Sequence, residues 1–258
     1  MRMNRFAVIF ATAWLLGDQS FAEPEADLHG LLDGVLQAHV DDEGYVDYKA
    51  LSANTGPLNA YLKVLASTDP KSLSRDGRLA YWINAYNAFT LKLILNNYPL
   101  KSIRDIIKPW DQEIWVAGGK TYSLNAIEHE ILRKDYTEPR IHFAIVCASI
   151  GCPNLWNRAF REASVHDELD AAAKRFIRSP KHVNLVFEKS VFGGQKTVLN
   201  ISSIFKWFKD DFIKGDHASI ADFILPHADK ATAIAMRSSG KDIKVGYLDY
   251  DWNLNERH

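Results

Sequence analysis

RDGRLAYWINAYNAFTLKLILNN, residues 75–97, carries apolar or weakly polar side chains at Leu79, Trp82, Ile83, Tyr86, Thr90, Leu93 and Ile94. Steps of three and four are the period of one helix face, and Pro99 lies just past the end where a helix stops. This is the longest apolar stripe in the chain, so the spacing predicts a long central helix. Upstream, residues 27–40 (DLHGLLDGVLQAHV) repeat leucine and valine at helical spacing behind Asp27, a plausible N-cap. Residues 44–48 alternate and read as a short extended piece, and residues 57–66 read as a helix with proline in its first turn.

Downstream, EIWVAGGKTYSL (113–124) reads as a hairpin turning at Gly118-Gly119. Ser123 or Asn125 then caps a helix, NAIEHEILRK, with basic residues in its last turn. RIHFAIVC (140–147) is a short apolar run read as a buried strand, although Pro139 and Gly151 would equally frame a short helix. Residues 167–177 read as a helix, and 183–187 and 196–201 as strands around Gly193-Gly194. Helices follow at 202–212, 219–225 and 230–236. Helices outnumber strands, and the strands gather in hairpins instead of alternating with helices. The expected class is therefore α+β, helix-rich with a small antiparallel sheet.

The chain has 258 residues, 47% of them hydrophobic, with 31 basic and 32 acidic side chains. That balance excludes a disordered chain and leaves no electrostatic case for a nucleic-acid or anionic-lipid partner. Two cysteines cannot staple a disulfide scaffold or fill a zinc finger. Residues 1–22, MRMNRFAVIFATAWLLGDQSFA, have Arg2 and Arg5 before an apolar run and small residues at a cleavage position, as a signal peptide does. The run from Phe6 to Leu16 is too short to cross roughly 30 Å of hydrocarbon. We therefore expect a soluble, exported protein, periplasmic or extracellular, folded as a single domain over residues 23–258. No stable membrane insertion and no cofactor are expected; the oligomeric state is open.

Chemistry concentrates in EHEILRKDYTEPRIHFAIVCASIGCP, residues 128–153. Cys147 ends the apolar run and opens a turn of small residues, Ala148-Ser149-Ile150-Gly151. A thiolate there could attack with His142 as base and Glu128 as its orienter, while backbone N–H groups of the turn, beside Ser149, hold an oxyanion. Three alternatives stand beside this reading. Cys147 could be core packing, it could pair with Cys152 in a disulfide, or Glu128 or His129, His142 and the cysteines could hold a metal, although the spacing matches no standard zinc pattern. Five residues along a strand or helix do not bring His142 beside Cys147, so direct pairing needs a sharp bend. Asn84 and Asn87, three apart in the central helix, either line a pocket and grip a peptide-like group or bond neighbouring backbone. Trp110, Trp115 and the IFKWF run (204–208) read as core, and Tyr250-Asp251-Trp252-Asn253 as closing over its edge. Lys206, Lys209, Asp210 and Asp211 read as a solvated face. No P-loop, dinucleotide glycine signature or serine elbow is present.

LAYWINAYNAFTLKLIL, the hairpin followed by YSLNAIEHEIL, RIHFAIVCASIGCPNL, IFKWFKDDF and YDWNLN together resemble the family called domain of unknown function 547, over about residues 45–255. The resemblance implies a peptidase-like triad of glutamate, histidine and cysteine, matched here by Glu128, His142 and Cys147. Two classes of function follow. One is a thiol hydrolase or acyl-transferase acting on a peptide or other amide. The other is a non-catalytic protein binding a small ligand, such as a glutathione-like thiol peptide.

Overall fold

The computed structural model describes residues 27–189, 195–214, 217–239 and 243–257; the expected signal peptide and the Gly193-Gly194 turn lie outside them. Helices α1 (Gly30–His39), α2 (Tyr48–Ala53) and α3 (Gly56–Ser67) come first. Of these, α2 and α3 pack beside α4, Arg75–Asn97, which has the limits the spacing predicts, and α1 packs on α3. Ser74 caps α4 by accepting the Gly77 N–H at 3.0 Å. Every residue of α4 from Leu79 to Leu91 is buried, so the helix is wrapped on all faces and forms the axis of the core.

The hairpin forms as expected. Strands β1 (Trp115–Ala117) and β2 (Lys120–Tyr122) pair antiparallel, Trp115 opposite Tyr122. Gly118 and Gly119 both have positive φ, 56° and 72°, the pairing a two-residue turn of this hand demands. Their N–H groups donate to Leu65 and Ala66 at the end of α3, which pins the hairpin to that helix.

The next segment is wider than an ordinary α-helix. Ser123 Oγ accepts from the Ala126 N–H, and residues Ala126–Leu132 form π-type turns. The Arg133 N–H closes five residues back on the Glu128 carbonyl before the short α5, Arg133–Asp135. The expected strand at 140–147 does not form. Pro139–Phe143 is a single 3-10 turn and the chain then bends toward Cys147. Proline opens that turn with its φ already set, and Ile141, His142 and Phe143 are all buried by it.

The second half begins with α6 (Val165–Arg178). A three-stranded sheet follows, in which β3 (Val183–Lys189) runs antiparallel to β4 (Gln195–Ile201). Helices α7 (Ile204–Trp207), α8 (Lys209–Phe212), α9 (Ile220–Ile224) and α10 (Lys230–Ser239) come next. The chain then adds β5 (Lys244–Tyr247) parallel to β4, a strand the sequence reading lacked. The single helix expected over 202–212 is two, broken at Phe208 with φ −111° and ψ 27°. Phe143, Phe176, Phe205, Phe212 and Phe223 pack as one aromatic core. The architecture is α+β.

The C-terminal tail ties the halves together. Asn253 and Asp251 carbonyls accept the N–H groups of Ile150 and Gly151, and the Asn255 carbonyl accepts that of Val46. Tyr48 donates its buried hydroxyl to the Asn255 side chain at 2.8 Å. Among the described residues no helix is long and apolar enough to cross a membrane.

Candidate active site

A cavity of about 240 Å³ opens between the π-type segment, the 3-10 turn, α7 and the tail. Glu128, His142 and Cys147 all line it, together with Cys152 and Tyr86. Its walls are aromatic: Trp110, Trp207, Phe208, Tyr250 and Trp252. Trp110, Trp207 and Phe208 thus form the wall of a cavity and not the interior of the core, while Trp115 and Phe205 are core as expected.

His142 sits on the 3-10 turn with its side chain 1% exposed. Its ring stacks on Phe208 at 3.9 Å, and Phe212 lies beside it. Nε2 is 2.8 Å from Asp211 Oδ2, and Nδ1 is 3.9 Å from Glu128 Oε1. Both nitrogens therefore face carboxyl groups, Nε2 within hydrogen-bond distance and Nδ1 beyond it. Asp211 is gripped from its far side by Arg133, whose Nε and guanidinium NH2 donate at 2.6 and 3.1 Å. The reading of Asp211 as solvated is corrected: Lys206, Lys209 and Asp210 are exposed, but the Asp211 side chain is only 11% exposed. The break at Phe208 separates α7 from α8, and Asp211 lies between Phe208 and Phe212, the two rings against His142.

Electrostatics assign the protons. Burial raises the Asp211 carboxyl, but hydrogen bonds from His142 and Arg133 outweigh it and hold the group well below the usual carboxylate range. Asp211 is therefore ionised and accepts the proton carried by His142 Nε2. Burial pushes the His142 imidazole down despite the pull of Asp211, leaving it neutral with the Nδ1 lone pair turned to Glu128. Burial also raises the Glu128 carboxyl to about 7, against the opposing pull of Arg133 and of the Tyr86 hydroxyl 3.4 Å away. A carboxyl poised at neutrality on a cavity wall can both take and give a proton. Asp211, not Glu128, is the carboxyl within hydrogen-bond distance of the histidine.

The sulfur chemistry differs from the expected free nucleophile. Cys147 and Cys152 form a disulfide, with Cα atoms 6.3 Å apart. Cys147 is half-buried, whereas Cys152 is 5% exposed. The Tyr250 hydroxyl lies 3.2 Å from Cys147 Sγ and 3.0 Å from Cys152 Sγ, and the Cys147 N–H donates to Cys152 Sγ at 3.0 Å. Ala148 holds the loop with φ of 59°, a left-handed conformation uncommon for alanine. Two of the four N–H groups of the small-residue turn are engaged. The N–H groups of Ile150 and Gly151 are taken by the tail, and that of Cys152 by the Ser149 carbonyl. Ser149 is buried outside the main cavity, its Oγ 3.7 Å from Cys147 Sγ.

Asn84 and Asn87 do not line the cavity. Asn84 donates to the Phe160 carbonyl at 2.8 Å and accepts from the Phe160 N–H at 2.9 Å. Asn87 likewise donates to the Ala144 carbonyl and accepts from the Val146 N–H, both at 2.9 Å. Each amide stands in for a missing backbone partner where irregular chain crosses α4, which explains two poor helix formers in a core helix. Asn87 has a consequence for the site, because it holds the bend between His142 and Cys147. The metal alternative finds no ligand set: among the described residues no three His, Cys, Asp or Glu side chains gather around one point.

Residues 70–177 match a family model described as "Protein of unknown function, DUF547". That segment is similar to the DUF547 family. It contains α4, the π-type segment, the 3-10 turn and both cysteines, and it ends inside α6. The match is narrower than the 45–255 span over which the motifs resemble the family. Trp207, Phe208, Tyr250 and Trp252, which complete the cavity, lie beyond the matched segment, as does Asp211, the partner of His142. No curated protein and no solved structure matches the chain.

Proposed function

We propose that the cavity is the active site of a thiol hydrolase or acyl-transferase acting on a small peptide or other amide. The carrying observation is the convergence of Glu128, His142 and Cys147 on one cavity. In this reading the nucleophile is Cys147 in the reduced protein. Its Sγ attacks the acyl carbon and the amine departs, leaving a thioester that water or a second nucleophile resolves. Glu128 receives the thiol proton and returns it to the leaving amine, with the neutral His142 ring held beside it by Asp211. The aromatic walls suit the apolar body of a small acyl substrate.

A second reading is a non-catalytic pocket for a small ligand, favoured by the disulfide and by the five aromatic walls. The two are separated by treating reduced protein with a small activated acyl ester and weighing it. Acylation confined to Cys147, lost in Cys147→Ser and strongly slowed in Glu128→Gln, supports the enzyme. Saturable binding without acyl transfer, equal in oxidised and reduced protein, supports the pocket. The disulfide also favours the exported state suggested by residues 1–22. Sequencing the N-terminus of protein recovered from the periplasm or medium should give Glu23; retention of Met1 would contradict it.

A further inference from the structure

We infer that the Cys147–Cys152 disulfide is itself a reaction centre, exchanging with small thiols that enter the aromatic cavity. Both cysteines line that cavity, and the two sulfurs are not equivalent. Cys147 is half-buried, within reach of an entering molecule, while Cys152 is buried. The Tyr250 hydroxyl lies nearer Cys152 Sγ (3.0 Å) than Cys147 Sγ (3.2 Å), and Cys152 Sγ alone also accepts a backbone N–H, that of Cys147 at 3.0 Å. Donors at that distance stabilise negative charge on sulfur, and exchange runs faster when the leaving thiolate is stabilised.

The step follows from that asymmetry. The thiolate of a small thiol attacks Cys147 Sγ, and the disulfide bond breaks as a new bond joins the incoming sulfur to Cys147. The electron pair leaves on Cys152 Sγ, held by its two donors until it is protonated from the medium. A second thiolate attacks the incoming sulfur of the mixed disulfide and releases a small-molecule disulfide. Two thiols are oxidised and the protein disulfide is reduced to two thiols; the reverse sequence reoxidises the protein. Tyr250 is thereby a positioning residue for the leaving sulfur. The inference stands independently of acyl transfer, which concerns Cys147 already reduced.

The test uses the full-length oxidised protein. It is mixed at neutral pH with 2-mercaptoethanol under native conditions, quenched with acid at intervals and mapped by mass spectrometry. The expected result is a mixed disulfide on Cys147, formed while the fold is intact by circular dichroism. Tyr250→Phe should slow its formation by roughly tenfold, the worth of a hydrogen bond to a charged group. Reduction only after unfolding in denaturant, a mixed disulfide on Cys152, or an unchanged rate in folded Tyr250→Phe would each overturn it. Should Tyr250→Phe not fold, the position of the adduct in the wild type still decides. An overturned exchange leaves the acyl-transfer reading standing, because acylation is measured on reduced protein.

Discussion

His142 donates its Nε2 proton to Asp211, 69 residues away, across 2.8 Å. That bond joins the 3-10 turn inside the segment similar to DUF547 to α8 outside it, and it fixes which nitrogen of the ring faces Glu128. The His142–Asp211 pair is therefore built jointly by both halves of the chain.

Replacing Asp211 by Asn should weaken this joint. It removes the charge that accepts from both His142 and Arg133, and hydrogen bonds to charged groups are worth about 1.5–3 kcal/mol. We expect Asp211→Asn to lose about that much in urea unfolding. The folded Asp211 carboxyl is held low, so its contribution is present above the unfolded value of about 3.9 and fades as pH falls through the acid range. The stability gap between wild type and Asp211→Asn should shrink on acidification. A gap independent of pH would contradict the ionised assignment.

Glu128 has the opposite sign. Its folded value of about 7 lies above the ordinary carboxyl value of 4.5, so folding is favoured while the group stays protonated. Between those values the folded protein binds the extra proton, and stability falls as pH rises until the folded group ionises. Glu128→Gln removes the slope. It should gain about 3 kcal/mol relative to wild type from acid to mildly alkaline pH, measured as denaturant midpoints. His142, lowered by burial, contributes a rise toward its unfolded value, so the difference between the two proteins is the quantity to read. A difference constant with pH would place Glu128 at an ordinary value.

Asn84→Ala should destabilise without altering the cavity. The substitution strips the Phe160 N–H and carbonyl of their partner inside the core, at about 1–3 kcal/mol for each unsatisfied group. Thermal unfolding should show the loss, while thiol exchange in the folded variant stays at the wild-type rate. An unchanged melting temperature would contradict the stapling role.

The long helix was legible because two local signals agree: the apolar period from Leu79 to Ile94 and the stop before Pro99. The hairpin was legible from Gly118-Gly119. The segment 140–147 was not, because its unbroken apolar run suits any buried conformation. What decides it is remote, the Asn87 side chain bonding the Ala144 carbonyl and the Val146 N–H. Glu128, His142 and Cys147 were found as residue types near one another in sequence, and one cavity does hold them. Asp211 was missed since its charged neighbours Lys209 and Asp210 face solvent, and only its place between Phe208 and Phe212 hints at an inward side chain. Tyr250 was placed at the edge of the core, but nothing in its segment pointed to two sulfurs about a hundred residues away.

The central claim is that Glu128 and Cys147 work on one another's protons in a shared cavity. Its direct test is the pH profile of Cys147 alkylation by a small electrophile, in reduced Cys152→Ser protein with and without Glu128→Gln. The account predicts that labelling persists to well below pH of about 8, follows a group titrating near 7, and loses that inflection in Glu128→Gln. Labelling that tracks an ordinary thiol of about 8.5 in both proteins would contradict it.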